Sequence, residues 1–310
     1  MKAFRTLTVP QHGFRGYFYK AASATDKCII VLIGDEGNDF MDKSCAKWLT
    51  THQNCHALCI AVRQYLNEDT GVHRWPLDHI ETAVRWIRKH KLTKIGILGM
   101  SMQASMALTA ASLISDISLV IALSPNDFIP WGFHQGKIHG HSKGEWPSGT
   151  SAFSWKQIEL HYQPAYLEKD DYWNIFCDEK KTYHELHSIT LFEHSEKIRP
   201  IPEECFIPVE NIQGSIILCG AEDDSMWNTA RYINRMQKRL MQKNFPYPVE
   251  VCIYPYGTHL LIPEKMLTGS LPLIGNLISR IFASGRKYPK ECKMSRIDLE
   301  NKLTGLIEQW

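Results

Sequence analysis

The chain has little that would direct it to a membrane, a nucleic acid or an oxidising compartment. It has no run of about 18 apolar residues, so no membrane span is expected. Met1 to Pro10 hold no apolar signal segment. Positive and negative side chains nearly cancel, 35 Lys+Arg against 33 Asp+Glu, and a net charge of +2 gives no field that would gather nucleic acid or an acidic bilayer. There is no internal repeat, no low-complexity tract, no P-loop and no GxGxxG fingerprint, so no cofactor is expected. The nine cysteines are an odd number, which argues against a complete disulfide framework. Cys28, Cys59, Cys219 and Cys252 sit in apolar strand-like runs, where a thiol behaves as a small hydrophobe. The expectation is a cytoplasmic protein acting on a small molecule, with its oligomeric state left open.

What the chain does have is alternation. The 310 residues, 44% of them hydrophobic, suffice for one large domain. Arg5–Val9 and Gly16–Lys20 read as an edge hairpin around Pro10 to Gly13. Apolar runs at 28–33, 56–62, 95–98, 118–123, 215–219 and 249–254 read as buried strands. Helical patterns lie between them at about 40–52, capped by Asn38 or Asp39, then 75–90, 102–114 and 228–242. Further helices are expected at 267–283 and 294–309. Strand–helix alternation predicts an α/β fold with a mostly parallel sheet and helices on both faces.

One stretch carries the sharpest signal. Lys94 to Leu98 form a short strand, Gly99 follows, and a helix begins at Met102. Ser101 stands at the corner, where its hydroxyl would project above the sheet edge beside a helix N-terminus. This resembles the nucleophile elbow G-x-S-x-G, but Gln103 occupies the second glycine position. A serine at such a junction can also be a plain helix cap, so the context has to decide.

Two more strand ends complete a pattern. The strand at 215–219 ends in Asp223 and Asp224, and the strand at 249–254 ends in a loop bearing His259. The order Ser, Asp, His is that of α/β-hydrolases. The chemistry requires these types: a hydroxyl is a poor nucleophile until an imidazole takes its proton, and a carboxylate holds the imidazole in the right tautomer. Asp224 is the first choice for the acid and Asp223 the second. An oxyanion hole would take the Met102 amide and one from the loop after the first central strand, either Asp35 or Glu36.

Between 127 and 208 the alternation stops. Phe128, Trp131, Phe133, Trp146, Phe153, Trp155, Tyr162, Tyr166, Tyr172, Trp173 and Phe176 occur without steady period. Such a length is unlike a bare loop. It reads as a partly helical lid inserted into a single domain spanning 1–310, or as an aromatic packing element. His139, His141, His184 and His187 in it read as surface or cleft-lining residues. His52 and His56 have a spacing that could hold zinc but bridge a helix end and a strand start, so no metal is expected.

The segments WPLDHIETAVRWIRKH, KIGILGMSMQASMAL, LVIALSP, IPVENIQGSIILCGAEDDSMW and FPYPVEVCIYPYGTHLLIP resemble the C-terminal hydrolase domain of acyl-CoA thioesterases and bile acid-CoA:amino acid N-acyltransferases, within the dienelactone hydrolase-like group. They cover most of 27–125 and 207–263. The resemblance implies an α/β-hydrolase fold with Ser101 as nucleophile, Asp224 as acid and His259 as base. It also implies that a serine nucleophile goes with hydrolysis and a cysteine with acyl transfer to an amine. Gln103 departs from the family pattern, no counterpart of the family's separate N-terminal β-sandwich is expected in these residues, and 127–208 is longer than usual. The expected activity is therefore hydrolysis of an acyl thioester or ester. The alternatives are amino acid N-acylation, or non-catalytic binding on a hydrolase scaffold.

Overall fold

Eight strands form one sheet in the computed structural model, which describes residues 3–62, 70–135, 149–164, 172–268 and 274–310. In chain order they are β1 (Arg5–Leu7), β2 (Gly16–Tyr19), β3 (Lys27–Leu32), β4 (His56–Ile60), β5 (Lys94–Met100), β6 (Leu119–Leu123), β7 (Ser215–Ala221) and β8 (Val249–Tyr254). Their spatial order is β1-β2-β4-β3-β5-β6-β7-β8. The pairs β1–β2 and β2–β4 are antiparallel, and the rest are parallel. The expected edge hairpin is present, its strands joined by one helical turn at Val9–His12 that ends at Gly13, φ 78°.

The central strands β3 to β7 are almost wholly apolar because both their faces are covered. In β3, Cys28, Ile30 and Leu32 pack in one cluster while Ile29 and Val31 pack in the other. The first cluster is closed by helices α2 (Asp78–Lys89), α3 (Met102–Leu113) and α6 (Thr229–Gln242), and the second by α1 (Phe40–His52) and the C-terminal helix α7 (Pro289–Gln309). Two further helices, α4 (Tyr172–Tyr183) and α5 (Ile189–Ile198), belong to the 127–208 segment. Eight cysteines among the described residues are buried free thiols. No described helix is long and apolar enough to cross a membrane.

Three expectations need correction. The helix expected from Trp75 starts at Asp78, and Trp75–Pro76 is instead a short strand against Phe153–Ser154. Pro76 suits that place, because the flanking amides of Trp75 and Leu77 donate to Ala152 and Ser154 and the middle residue needs no N–H. The helix expected at 267–283 is instead short pieces, Glu264–Thr268, Ile274–Ser279 and Ala283–Lys287. Gly269 and Pro272 stand between the first two, and proline disrupts a helix interior. The last helix begins five residues early, with Pro289 at its first position, where proline is favoured.

The 127–208 segment is held by mixed contacts, most of them within itself or to loops and helix α6, rather than by a regular element. Phe153–Trp155 pairs with Ile158–Glu159, and Phe133–Gln135 pairs with Thr70–Val72. Isolated bridges join Phe128 to Phe206 and Trp131 to Ser151. Phe128, Trp131, Leu191 and Phe192 bury together with Trp227 and Tyr232. His139, His141, Trp146 and Tyr166 lie outside the described residues.

Candidate active site

The parallel strands end along one rim, and the chain changes direction between β3 and β5, where α/β sheets bind ligands. Ser101 follows β5 at that point. Its backbone has φ 59° and ψ −132°, a left-handed conformation that serine adopts only under constraint. The constraint is visible: the Ser101 amide donates to the Leu123 carbonyl at 2.9 Å, and the Ser101 carbonyl accepts from Ala104 at 2.9 Å. Gly99 lets α3 lie directly on the turn, since a Cβ there would stand 2.2 Å from the Gln103 carbonyl oxygen. Residues 104–111 of the helix are all buried, because β5, β6 and the turn at Val209–Asn211 cover them.

Three side chains meet on this rim. The Ser101 hydroxyl lies 2.8 Å from His259 Nε2, and His259 Nδ1 lies 2.8 Å from Asp224 Oδ2. Asp224 is almost completely buried. Its Oδ1 accepts from the Met226 amide at 2.9 Å, and its Oδ2 also accepts from the Thr229 hydroxyl. Three donors thus surround one carboxylate. The arrangement suits the tautomer in which Nδ1 donates to Asp224 and Nε2 accepts from Ser101.

The neighbouring Asp223 does something else. Its Oδ1 accepts from the amides of Gly257 and Thr258, at 3.0 and 2.8 Å. It therefore fixes the turn before His259, where Thr258 has φ 61°. Burial pushes the Asp223 carboxyl above its usual range. Behind the histidine, the Ser124 hydroxyl donates to the His259 carbonyl at 2.8 Å. Trp227 stands edge-on to the imidazole at 4.8 Å, and Phe192 stands edge-on to Trp227 at 5.4 Å.

The loop after β3 carries the other candidates. Asp39 caps α1 in a reciprocal box with Asp42, taking the Asp42 amide at 3.0 Å. Its other oxygen accepts from the Asp35 amide at 3.0 Å, and Asp42 accepts from the Gly34 amide at 3.1 Å. Asp35 is therefore removed as an oxyanion donor: its N–H is committed to Asp39. Glu36 and Met102 remain, and Met102 opens a helix, where the first amides lack intrahelical acceptors.

Several supporting residues carry no signal a sequence reader could use. Thr229, Ser124 and Trp227 fit no motif, and their roles follow from contacts across the fold. Asp39 was foreseeable as a cap but not as the anchor of Asp35. Helix α6 is capped by Asn228, which accepts from the Arg231 amide at 3.1 Å, so Asp224 is not spent as a cap. The histidines considered for metal are engaged separately. His56 is buried, accepts from the Ala21 amide at 3.1 Å and stacks on Phe18, while His52 ends α1 at the surface. Among the described residues no group of three His, Cys, Asp or Glu is arranged to hold a metal ion. His187 is buried against Tyr183, at 3.9 Å between rings, and His184 is exposed.

A parallel sheet with the reversed order at β3–β5, flanked by helices and preceded by an antiparallel edge, makes the chain an α/β-hydrolase. More narrowly, it belongs to the BAAT/acyl-CoA thioester hydrolase C-terminal family, whose model matches residues 75–266. No curated protein matches it. Among solved structures it is similar to an acylaminoacyl peptidase from Pyrococcus horikoshii, with 11% identity and a TM-score of 0.50, over 99% of this chain and 40% of that one. It is also similar to a candidate dienelactone hydrolase from Klebsiella pneumoniae, with 10% identity and a TM-score of 0.50, over 96% and 93% of the two chains. An α/β-hydrolase enzyme from a Medee basin deep-sea metagenome library shares 13% identity at a TM-score of 0.49, over 99% and 98% of the chains. At these identities the likeness is one of fold.

Proposed function

We propose that the chain is a serine hydrolase that cleaves an acyl thioester or ester through an acyl-enzyme on Ser101. The observation that carries this reading is the unbroken line of hydrogen bonds Ser101–His259–Asp224, 2.8 Å at each step. Ser101 Oγ attacks the acyl carbonyl carbon while His259 Nε2 takes its proton. The amides of Met102 and Glu36 hold the oxyanion. The bond from the carbonyl carbon to sulfur or oxygen then breaks, and His259 hands its proton to the leaving group. Water repeats the sequence: His259 takes its proton, the hydroxide adds to the acyl group, and the released carboxylate leaves Ser101 reprotonated. Asp224 keeps the imidazole oriented and stabilises its charged form.

Family membership supports a thioester as the first substrate to try. The serine nucleophile favours water over an amine as acceptor, by the resemblance described above. The segment 127–208 serves in this reading as a lid within a single domain spanning 1–310. Its aromatic contacts reach the imidazole through Phe192 and Trp227. The test is Ser101→Ala combined with a fluorophosphonate probe. The native chain should be labelled at Ser101 and should hydrolyse acyl thioesters or aryl esters, whereas the variant should do neither. Full turnover by the variant would remove the assignment, and an unlabelled, inactive native chain would favour a binding protein on a hydrolase scaffold.

A further inference from the structure

The elbow pattern calls for glycine at position 103, and this chain has glutamine. The two glycine positions of that pattern carry different physical demands here. At Gly99 an added Cβ would stand 2.2 Å from backbone, so no side chain fits. At 103 the side chain lies half-buried on the first turn of α3 and reaches outward, its Nε2 donating to Asp35 Oδ1 at 3.4 Å. That contact spans from the helix bearing the nucleophile to the loop after β3.

Asp35 is anchored through its backbone on both sides. Its N–H donates to Asp39 Oδ2 at 3.0 Å, and its carbonyl accepts from the Val62 amide at 3.0 Å. Asp39 in turn is held by the Asp42 amide, and Asp42 by the Gly34 amide. Gln103 adds the link to α3 itself. The peptide bond that follows Asp35 presents the Glu36 amide, so whatever fixes Asp35 fixes that donor relative to Ser101.

We infer that Gln103 is a positioning residue for the oxyanion loop, tying Asp35 to the elbow helix so that the Glu36 and Met102 amides keep a common focus. The inference rests on the catalytic reading proposed above. It turns the departure from the family pattern into a strut specific to this chain. Oxyanion donors act through preorganisation, so a loop allowed to drift weakens the transition state more than the bound substrate.

Gln103→Met keeps the length and removes the donor, and Gln103→Gly restores the pattern residue. Each should lower kcat and the rate of Ser101 phosphonylation about five- to tenfold, as expected for loss of one positioning hydrogen bond, with KM moved less than about twofold. Asp35→Ala should give the same drop, and the double variant Gln103→Met/Asp35→Ala should fall no further than Asp35→Ala alone. Native rates in Gln103→Met, or losses that multiply in the double variant, would overturn the inference. A failure of the catalytic reading is told apart by Ser101→Ala. If that variant still turns over substrate the reading itself is wrong, whereas an inactive Ser101→Ala beside an unaffected Gln103→Met rejects the strut alone.

Discussion

The strand ends that carry Ser101, Asp224 and His259 and the 127–208 segment are built on different principles. Ser101, Asp224 and His259 stand within a few residues of β5, β7 and β8, whose registers are locked by ladder bonds and, in β5 and β7, by side chains buried on both faces. The inserted segment is held by irregular contacts, with Trp131 stacked on Phe192 at 5.1 Å and Phe192 edge-on to Trp227. The sheet sets geometry to within a hydrogen bond, and in the proposed reading the aromatic segment sets what surrounds it. Chemistry should therefore depend on the first region and substrate preference on the second.

The largest effects should come from the sheet. Ser101→Ala or His259→Ala should cost about 10⁴-fold or more in kcat, and Asp224→Ala nearly as much, because the three act as a unit. Asp223→Ala should behave differently from its neighbour. It removes the acceptor for two amides of the histidine turn, so stability should drop by about 2–4 kcal/mol, with a smaller loss in kcat. Equal kinetic losses at 223 and 224 would erase the distinction between them.

Next comes Gly99→Ala. The added methyl meets backbone that cannot rotate away, so unfolding should shift by about 3 kcal/mol. On the other side of the comparison, Phe192→Ala should destabilise by about 3 kcal/mol through lost burial, but its kinetic mark should be a raised KM with kcat largely kept. A fall in kcat at unchanged KM would show that the aromatic segment shapes the chemistry and not the binding.

How much of this was legible in the sequence follows the same divide. The parallel strands were readable because Cys28–Ile33 or Ser118–Leu123 must be apolar at every position when both faces are covered, and the polar residue after each run then lands on the rim. Ser101, Asp224 and His259 were singled out as candidates that way, by order and by placement past strand ends. The helix boundary at Trp75 was missed because Trp75–Pro76 pairs with Phe153–Ser154, residues nearly eighty positions away. The same holds for the hold of Asp39 on Asp35, of Asp223 on the histidine turn, and of Phe192 on Trp227. Each depends on a tertiary contact that no local period encodes.

A further effect concerns pH and the loop after β3. Burial, with the Asp39 carboxylate beside it, pushes the Asp42 carboxyl from 3.8 up to about 8. The folded chain thus keeps a proton that the unfolded chain releases near 3.8. The stabilising contribution is complete below that value and is lost as pH rises toward about 8. Asp42→Asn should flatten this part of the stability profile, measured by urea unfolding between about pH 5 and pH 8. An unchanged slope would mean that Asp42 is ionised in the fold.

The most direct test of the central claim is to trap the covalent intermediate. A slowly deacylating thioester or ester, quenched in acid and digested, should leave its acyl mass on the peptide containing Ser101, and His259→Ala should abolish that adduct. Acyl mass on another residue, or hydrolysis that continues in Ser101→Ala, would contradict it.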